Sequence, residues 1–272
     1  MVRAMTANLT IGDQLRSWRQ HRRLSQLDLA LEANISPRHL SFVETGRAQP
    51  SRTMILHLCE QLGVPLRERN LLLLAAGFAP IFPERALDDP TLAAARAAIG
   101  LVVDGHEPYP ALAVDRHWHL VSANQAATRL LQGIDPALLV PPMNALRISL
   151  HPSGLAPRIR NLAAWRGHLL ARLRQQIDLC ADPALVALHD ELKSYPAPAR
   201  TAPDDRAGTA AMVVPLVLAS ERGDLSLFST TTVFGTPIDV TLSELAIEAF
   251  YPADQATAEA LRLLAADRPL HA

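Results

Sequence analysis

The chain has 272 residues, of which 49% are apolar and 19% are charged, and its formal net charge is −1. This length allows one large domain or two ordinary ones, and the composition excludes an intrinsically disordered chain. No apolar run approaches the ~18 residues of a membrane helix. Charged residues at Asp13, Arg16 and Arg19 come too early for a signal peptide, so we expect none. The two cysteines, Cys59 and Cys180, are too few for a disulfide scaffold and favour a cytoplasmic protein.

The charges are unevenly distributed along the chain. Residues 1–76 contain ten arginines and six acidic residues, a balance of +4, whereas residues 77–272 have a balance of −5. A basic block followed by an acidic remainder is typical of a protein whose first part alone meets a polyanion. The charge balance therefore favours residues 1–76 as the part of the chain that binds a polyanion such as a nucleic acid.

This first block predicts five short helices with clear start signals. Thr10 and Ser25 each precede an acidic residue by three positions, the pattern of a capping box. Ser36 is followed by Pro37 at the first helical position, where proline is well tolerated. The predicted helices begin at Thr10, Ser25, Ser36, Ser51 and Pro65, and end near Arg23, Ala33, Thr45, Gly63 and Ala76.

The second and third predicted helices, 25–33 and 36–45, are joined by a tight turn and indicate a helix-turn-helix unit. On a helical wheel, Leu40, Val43 and Glu44 of the third helix face inward. The outward face carries an arginine, two hydroxyls, an imidazole and a phenyl ring. Arginine can pair bidentately with guanine, and an aromatic ring can contact thymine methyl groups. An ordinary exposed helix face is the alternative interpretation.

The segment SPRHLSFVETGRAQPS at 36–51, with Gln26 and the five-helix spacing, resembles the phage-repressor or Xre-type helix-turn-helix domain over residues 10–76. The resemblance implies an all-α, five-helix, lambda-repressor-like fold that binds double-stranded operator DNA. It also implies that Glu44 pairs with Arg19, whereas a solvated Glu44 is the alternative. Gln26 would contact phosphate or orient a base-reading residue. Ser36, Arg38, His39, Ser41 and Phe42 would lie at the major groove, with Arg47, Ser51 and Arg52 at phosphates.

Residues 77–107 are predicted to be a linker with one connecting helix, and residues 108–272 a second domain. The predicted elements of that domain favour an α+β fold with one five-stranded antiparallel sheet and helices on one face. In chain order they are strands at 112–114 and 118–122, a helix from Asn124 to Leu131, mainly helical residues 143–193, a loop at 195–208, strands within 211–219, 225–235 and 238–252, and a helix at 254–266.

The opening motif of this domain, V-D-x-x-W-x-L-V-x-x-N-x-A-A at 114–127, resembles that of PAS-type sensor domains. The two parts together resemble the MmyB-like transcription regulators over about residues 10–266. This resemblance implies a bacterial, homodimeric regulator with a PAS-like domain that binds a small hydrophobic or acyl-type (fatty-acid-like) ligand. The predicted ligand-binding residues are Leu112, Val114, Trp118, Leu120, Leu146, Leu150, Trp165, Phe228 and Thr230.

A plainly packed core is the alternative for each of these nine residues. Leu227 and Ser229 share the strand face opposite to Phe228 and Thr230, and the sequence leaves open which face lines a pocket. A polar head group could be met by three further residues, for which helix-surface positions are the alternative: His151, Arg160 and Asn161.

Other signals are weak. His117 and His119 share a strand face, but no cysteine or acidic residue completes a recognised zinc spacing, so we expect no metal. No GxSxG, Walker A or GxGxxG motif is present, so we expect neither a cofactor nor an enzyme with an appended DNA-binding domain. A repressor whose C-terminal domain binds a partner protein is a competing hypothesis, which a flat apolar patch in place of a pocket would favour.

Overall fold

The computed structural model describes residues 10–180, 182–196, 214–235, 237 and 239–266. They fall into two compact units. The first contains the chain up to Ala86 and two later segments, Asp178–Pro183 and Thr236–Ser243, and the second contains the remainder. Among the described residues, no helix is both long and apolar enough to cross a membrane. Most of the loop predicted at 195–208 lies outside the described residues.

The first unit begins with helices α1 (Ile11–His21), α2 (Gln26–Glu32), α3 (Pro37–Glu44), α4 (Arg52–Gln61) and α5 (Leu66–Ala75). The predicted capping boxes are confirmed. The hydroxyls of Thr10 and Ser25 accept hydrogen bonds from the backbone N–H groups of Asp13 (3.2 Å) and Asp28 (3.1 Å). Each carboxylate in turn accepts a hydrogen bond from the backbone N–H of its cap residue. Because these bonds satisfy otherwise unpaired N–H groups, each helix has a defined first residue.

These helices enclose one apolar core, in which Leu15, Leu40 and Leu58 are fully buried. At Gly12 of α1, a Cβ atom would lie 2.5 Å from the carbonyl oxygen of Val43, so α1 approaches the end of α3 as closely as only glycine permits. Cys59 is also buried in this core, and burial raises the pKa of its thiol to about 12. The thiol is therefore protonated and unreactive at neutral pH.

The strands of the second unit form one antiparallel sheet in the order β2-β1-β5-β4-β3. The predicted five-stranded α+β architecture is confirmed. The elements after α5 are α6 (Ala93–Asp104), β1 (Ala111–Val114), β2 (Leu120–Ala123), α7 (Gln125–Leu130), α8 (Ala145–Leu150), α9 (Leu162–Cys180), α10 (Pro183–Ser194), β3 (Leu216–Ser220), β4 (Gly223–Val233), α11 (Val240–Ser243), β5 (Ala246–Pro252) and α12 (Gln255–Ala266).

Asn124, which follows β2, connects β1 and β2 to the neighbouring segments through the hydrogen bonds of its side chain. Its side-chain oxygen, Oδ1, accepts hydrogen bonds from the backbone N–H groups of Ala127 (2.9 Å) and Ala111 (3.0 Å). Its amide group donates to the carbonyl oxygens of Tyr109 (2.7 Å) and Val103 (3.3 Å). The residue is 1% exposed, so these bonds satisfy a polar group that would be costly to bury alone. The prediction that Asn124 caps a helix is confirmed.

The prediction of a strand throughout 238–252 is wrong at Val240–Ser243, where α11 precedes β5, and residue 238 lies outside the described residues. The carboxylate of Asp239 accepts hydrogen bonds from the backbone N–H groups of Thr241 (2.9 Å) and Leu242 (3.4 Å), and this starts a helical turn. Arg85 donates to the same carboxylate (2.8 Å). These local hydrogen bonds outweigh the preference of Val240 and Thr241 for strands.

Candidate nucleic-acid interface and internal cavity

The connection between α2 and α3 is a tight turn centred on Asn34. This residue has a φ of 51°, a left-handed conformation that asparagine tolerates better than most residues. The N–H of Ile35 donates to the carbonyl oxygen of Ala30 (2.9 Å), and the N–H of Asn34 to that of Leu31 (3.1 Å). These bonds end α2, and the hydroxyl of Ser36 then caps α3. The two helices thus have the arrangement of a helix-turn-helix unit.

Glu44, at the end of α3, is 2% exposed and is held by three side chains. Arg19 donates from Nε to Oε1 (2.6 Å) and from Nη2 to Oε2 (2.8 Å), which confirms the predicted pair. Gln26 donates to Oε2 (2.8 Å), and Nε of Arg16 lies 3.5 Å from the same oxygen. Burial raises the pKa of Glu44, but the hydrogen bonds from Arg19 and Gln26 and the nearby positive charges outweigh it, so the pKa is lowered. The carboxylate is therefore charged and ties α1, α2 and α3 together.

The burial of Glu44 determines the charge of the surface around α3. Between residues 36 and 52 it is the only acidic residue in the sequence. The three arginines of this segment, Arg38, Arg47 and Arg52, are all exposed. The exposed side of α3 and of the following loop therefore presents positive charges and no negative ones.

The nine predicted DNA-contacting residues lie at the start of α2, in α3 and its cap residue Ser36, in the loop after α3 and at the start of α4. The guanidinium of Arg38 lies over the Phe42 ring, 5.3 Å from its centre, which is a cation–π contact. Arg52 lies similarly over Phe78, at 5.5 Å. The side-chain amide of Gln26 donates to Glu44. Of the nine, five are exposed (Ser36, Arg38, Arg47, Ser51 and Arg52) and four are partly buried (Gln26, His39, Ser41 and Phe42).

The second unit contains a largely apolar cavity of about 110 Å³. It lies between one face of the sheet and helices α7, α8 and α9. An engineered apolar cavity of ~150 Å³ in another protein binds benzene, so a space of this order takes a small apolar molecule. Five of the nine residues predicted to bind ligand line this cavity: Leu112, Trp118, Leu120, Leu146 and Trp165.

The other four predicted residues lie outside the cavity lining. On β4 the lining residues are Leu227 and Ser229, whereas Phe228 stacks on Tyr251 with ring centres 5.4 Å apart and Thr230 is exposed. Neighbouring residues of a strand point to opposite faces. The face of β4 that lines the cavity is therefore the one with Leu227 and Ser229, and not the one with Phe228 and Thr230.

The predictions for Val114 and Leu150 differ from the structure. Val114 pairs regularly with Ala246 of β5, so it lies on the same strand face as Leu112, but it is buried at the end of β1, outside the cavity lining. Leu150 is the last residue of α8 and is buried in the core outside the cavity lining.

An ion pair that the sequence did not reveal lines the cavity. The guanidinium of Arg172 on α9 donates to both carboxylate oxygens of Glu248 on β5, at 2.9 and 2.5 Å. It also donates to the hydroxyl of Thr231 (2.8 Å) and lies 4.7 Å from the centre of the Trp118 ring. Ser149 is another polar lining residue, and its hydroxyl accepts a hydrogen bond from Trp165 (3.0 Å).

The three residues considered for a polar head group do not line the cavity. Asn161 donates to the carbonyl oxygen of Pro215 (2.7 Å) and accepts from the N–H of Val217 (3.0 Å), so it anchors β3. Arg160 pairs with Asp224 at 3.0 Å, and the ring of His151 packs edge-on against that of Tyr195.

The turn between β1 and β2 brings three possible metal ligands together. Oδ1 of Asp115 accepts hydrogen bonds from the backbone N–H groups of His117 and His119, each 2.8 Å long, and Oδ2 lies 3.0 Å from Nδ1 of His119. Trp118, between the two histidines, has a φ of 67°, so β2 begins at Leu120 and not at Trp118 as predicted. Within the described residues, this is the one group of three such ligands whose atoms lie within 4.8 Å of one another.

Two family models match the sequence. Residues 95–264 match the MmyB-like transcription regulator ligand binding domain, and residues 10–72 match a helix-turn-helix domain. The first match alone covers more than half of the chain.

Two curated proteins are similar to about a quarter of this chain. The chain is 34% identical over 64 residues to the multiprotein-bridging factor 1 of Debaryomyces hansenii, which is 24% of this chain and 43% of that protein. It is 31% identical over 71 residues to the multiprotein-bridging factor 1 of Candida albicans, which is 26% of this chain and 47% of that protein. The chain thus spans less than half the length of these curated relatives.

A solved structure of an RNA-binding light-oxygen-voltage receptor aligns with 98% of this chain and 66% of its own, at 13% identity. The TM-score of 0.27 is too low for the likeness to support a conclusion about fold or function.

Proposed function

Since the chain belongs to the family of MmyB-like transcription regulators, we propose that it binds a specific DNA operator through α3 and that a small apolar ligand in its cavity changes that binding. The family matches make it a transcription regulator with a helix-turn-helix domain and a ligand-binding domain; neither matched domain is an enzyme family. The observation that carries the DNA part of the proposal is the positively charged, acid-free surface around α3.

The chemistry of that surface suits double-stranded DNA. Exposed arginines can neutralise phosphates and can also read guanine in the major groove. We assign base contact to Arg38 and Phe42, and phosphate contact to Arg47 and Arg52. The hydrogen bond from Gln26 to Glu44 gives Gln26 an orienting role at the start of α2.

The lining of the cavity supports a hydrophobic or acyl-type ligand. Most of the lining side chains are aliphatic or aromatic, and the few polar ones are Ser149, Ser229, Arg172 and Glu248. A ligand with a carboxylate would have to compete with Glu248 for Arg172, because both oxygens of Glu248 already accept from its guanidinium. An uncharged apolar molecule meets no such competition.

We further propose that the active form is a homodimer in the cytoplasm of a bacterial cell, with residues 1–76 as DNA-binding domain, 77–107 as linker and 108–272 as sensor. A dimer places two recognition helices about 34 Å apart on a pseudo-palindromic operator. Support comes from α6, on which two apolar side chains, Leu101 and Val102, are 77% and 52% exposed and could be covered by a second copy. The ligand changes DNA affinity only if it binds the two dimer arrangements differently.

Two experiments on the full chain test the proposal. Selection of binding sites from a pool of random DNA duplexes should enrich one pseudo-palindromic sequence, and the affinity for it should fall with added salt. Native mass spectrometry should show a dimer that carries a small bound molecule. Absence of an enriched sequence would contradict the DNA part. A chain without a bound molecule, which instead captures one partner protein in defined stoichiometry, would favour the competing repressor.

A further inference from the structure

The β1–β2 turn places two imidazoles and one carboxylate at a single point. Their potential ligand atoms all lie within 4.8 Å of one another, and the two rings are 5.8 Å apart at an angle of 70°. The side chains of Asp115 and His119 are 34% and 31% exposed, so solvent and dissolved ions reach them.

This donor set suits one class of metal ion. Imidazole nitrogen together with carboxylate oxygen is typical of Zn²⁺ and of neighbouring divalent transition metals, whereas Mg²⁺ and Ca²⁺ prefer oxygen ligands alone. We propose that Asp115, His117 and His119 form a binding site for a divalent transition-metal ion such as Zn²⁺, with water completing the coordination.

The distances allow the site to close with small side-chain movements. Zinc bonds of about 2.0–2.2 Å in a tetrahedral arrangement place ligand atoms about 3.4 Å apart. Oδ2 of Asp115 and Nδ1 of His119 are already 3.0 Å apart. An ion bound between them would replace the proton of their hydrogen bond. Rotation of the partly exposed side chain of His117 would bring its ring nitrogen to the required distance from the ion.

The backbone of the turn orients the carboxylate in advance. Both backbone N–H groups that bond Oδ1 of Asp115 belong to the histidines themselves, so the carboxylate is fixed relative to both rings and Oδ2 remains directed at His119. Such bonds to the second atom of a ligand group commonly raise metal affinity, because the group loses little freedom on binding.

The site lies beside the cavity and is joined to it through Trp118. This residue separates the two histidines in sequence, lines the cavity and donates from its ring nitrogen to Gln176 on α9 (2.8 Å). Gln176 in turn donates to the carbonyl oxygen of Arg116 in the same turn (2.7 Å). An ion that fixes the turn would therefore also fix one wall of the cavity.

The test uses the tag-free full chain, stripped of metal with a chelator and titrated with Zn²⁺ by calorimetry. We expect one ion per chain and at least tenfold weaker binding in the His117→Ala/His119→Ala variant and in Asp115→Asn. The matched control is His21→Ala/His189→Ala, which removes two histidines from elsewhere and should bind like the wild type. Thermal unfolding followed by circular dichroism checks that all variants are folded.

A second measurement locates the ion independently. Co²⁺ should quench the fluorescence of Trp118, so the quenched fraction should decrease in Trp118→Phe and in the His117→Ala/His119→Ala variant. The proposal is overturned if the latter variant binds Zn²⁺ as well as the wild type does, or if the control variant loses binding equally. These experiments contain no DNA and measure the binding of the metal ion directly, so their outcome is independent of the proposed regulatory function.

Discussion

The surface around α3 and the wall of the cavity differ in how far apart in the chain their residues lie. The arginines of the α3 surface, Arg38 to Arg52, come from one continuous stretch of the sequence. The cavity joins residues from both ends of the second unit, and its ion pair links Arg172 to Glu248 across 76 positions. The first site is thus set by local signals, and the second exists only after the whole sheet has formed.

Because of this difference, substitutions on the α3 surface should affect binding alone, whereas substitutions in the cavity wall should affect both binding and stability. Exposed side chains on a capped helix can be exchanged with little effect on folding, because they bury little surface. Side chains in a cavity wall contribute to both the core and the site. Glu44 combines the two situations, since it is buried and yet keeps the α3 surface free of negative charge. The following predictions test this separation.

The largest effect is expected for Glu44→Ala. The change removes the partner of Arg19, whose side chain is only 10% exposed, and leaves a buried positive charge with one backbone acceptor, the carbonyl oxygen of Leu24. Breaking a buried ion pair on one side costs about 3–5 kcal/mol. Native-state hydrogen exchange of the amides in α1 and α3 should report a loss of this size. The control Glu32→Ala, at an exposed position of α2, should stay within about 0.5 kcal/mol of the wild type.

The same carboxylate predicts a dependence of stability on pH. Hydrogen bonds from Arg19 and Gln26 lower the pKa of folded Glu44 despite its burial. Its contribution is therefore complete above the unfolded pKa of about 4.3 and is lost as the pH falls through the lower folded value. The difference in free energy of unfolding between the wild type and Glu44→Gln, measured by the same exchange method, should be largest near neutral pH and shrink below about pH 4. A difference that stays constant from neutral to acidic pH would contradict this assignment.

On the α3 surface, Arg38→Ala should weaken specific binding by about 1–3 kcal/mol and leave stability unchanged. Arg38 is exposed and contacts the Phe42 ring, so its removal takes away the proposed base contact without opening the core. Gel-shift titration against the selected operator at fixed salt measures the change. Arg222→Ala, which removes an exposed arginine between β3 and β4, serves as the charge-matched control. Near-unchanged affinity of Arg38→Ala would remove this residue from the proposed interface.

A smaller effect is expected in the cavity, where Ser229→Phe should lower ligand affinity at least tenfold, or about 1.4 kcal/mol. The new ring would occupy the space of the ligand, since Ser229 lines the cavity. The control is Thr230→Phe, one position further along β4 and exposed on the opposite face. Native mass spectrometry gives the fraction of chains that carry a bound molecule. Equal fractions in the two variants would show that the ligand binds elsewhere.

The sequence predicted those features that depend on neighbouring residues. The caps at Thr10 and Ser25, the role of Asn124 and the inward position of Glu44 all follow from spacings of a few residues. The sequence did not reveal Arg172 and Glu248 as partners, because no local pattern relates α9 to β5.

Two misassignments depend on packing that a sequence pattern does not show. Val114 shares the strand face of Leu112, and only the folded structure shows that the cavity does not extend to it. On β4, alternation grouped Phe228 with Thr230, but only packing could decide which group faces inward. Asp239 did carry a readable signal, since an acidic residue followed by Val-Thr-Leu-Ser is compatible with a capped helical turn.

The burial of Cys59 has a practical consequence for spectroscopy. The chain has two cysteines, and the other, Cys180, is partly exposed. Thiol-reactive dyes attack the thiolate, a form that Cys59 hardly adopts at neutral pH with a pKa of about 12. A maleimide fluorophore should therefore attach to Cys180 of the unaltered protein, giving one label per chain for measuring distances between the two copies of the proposed dimer.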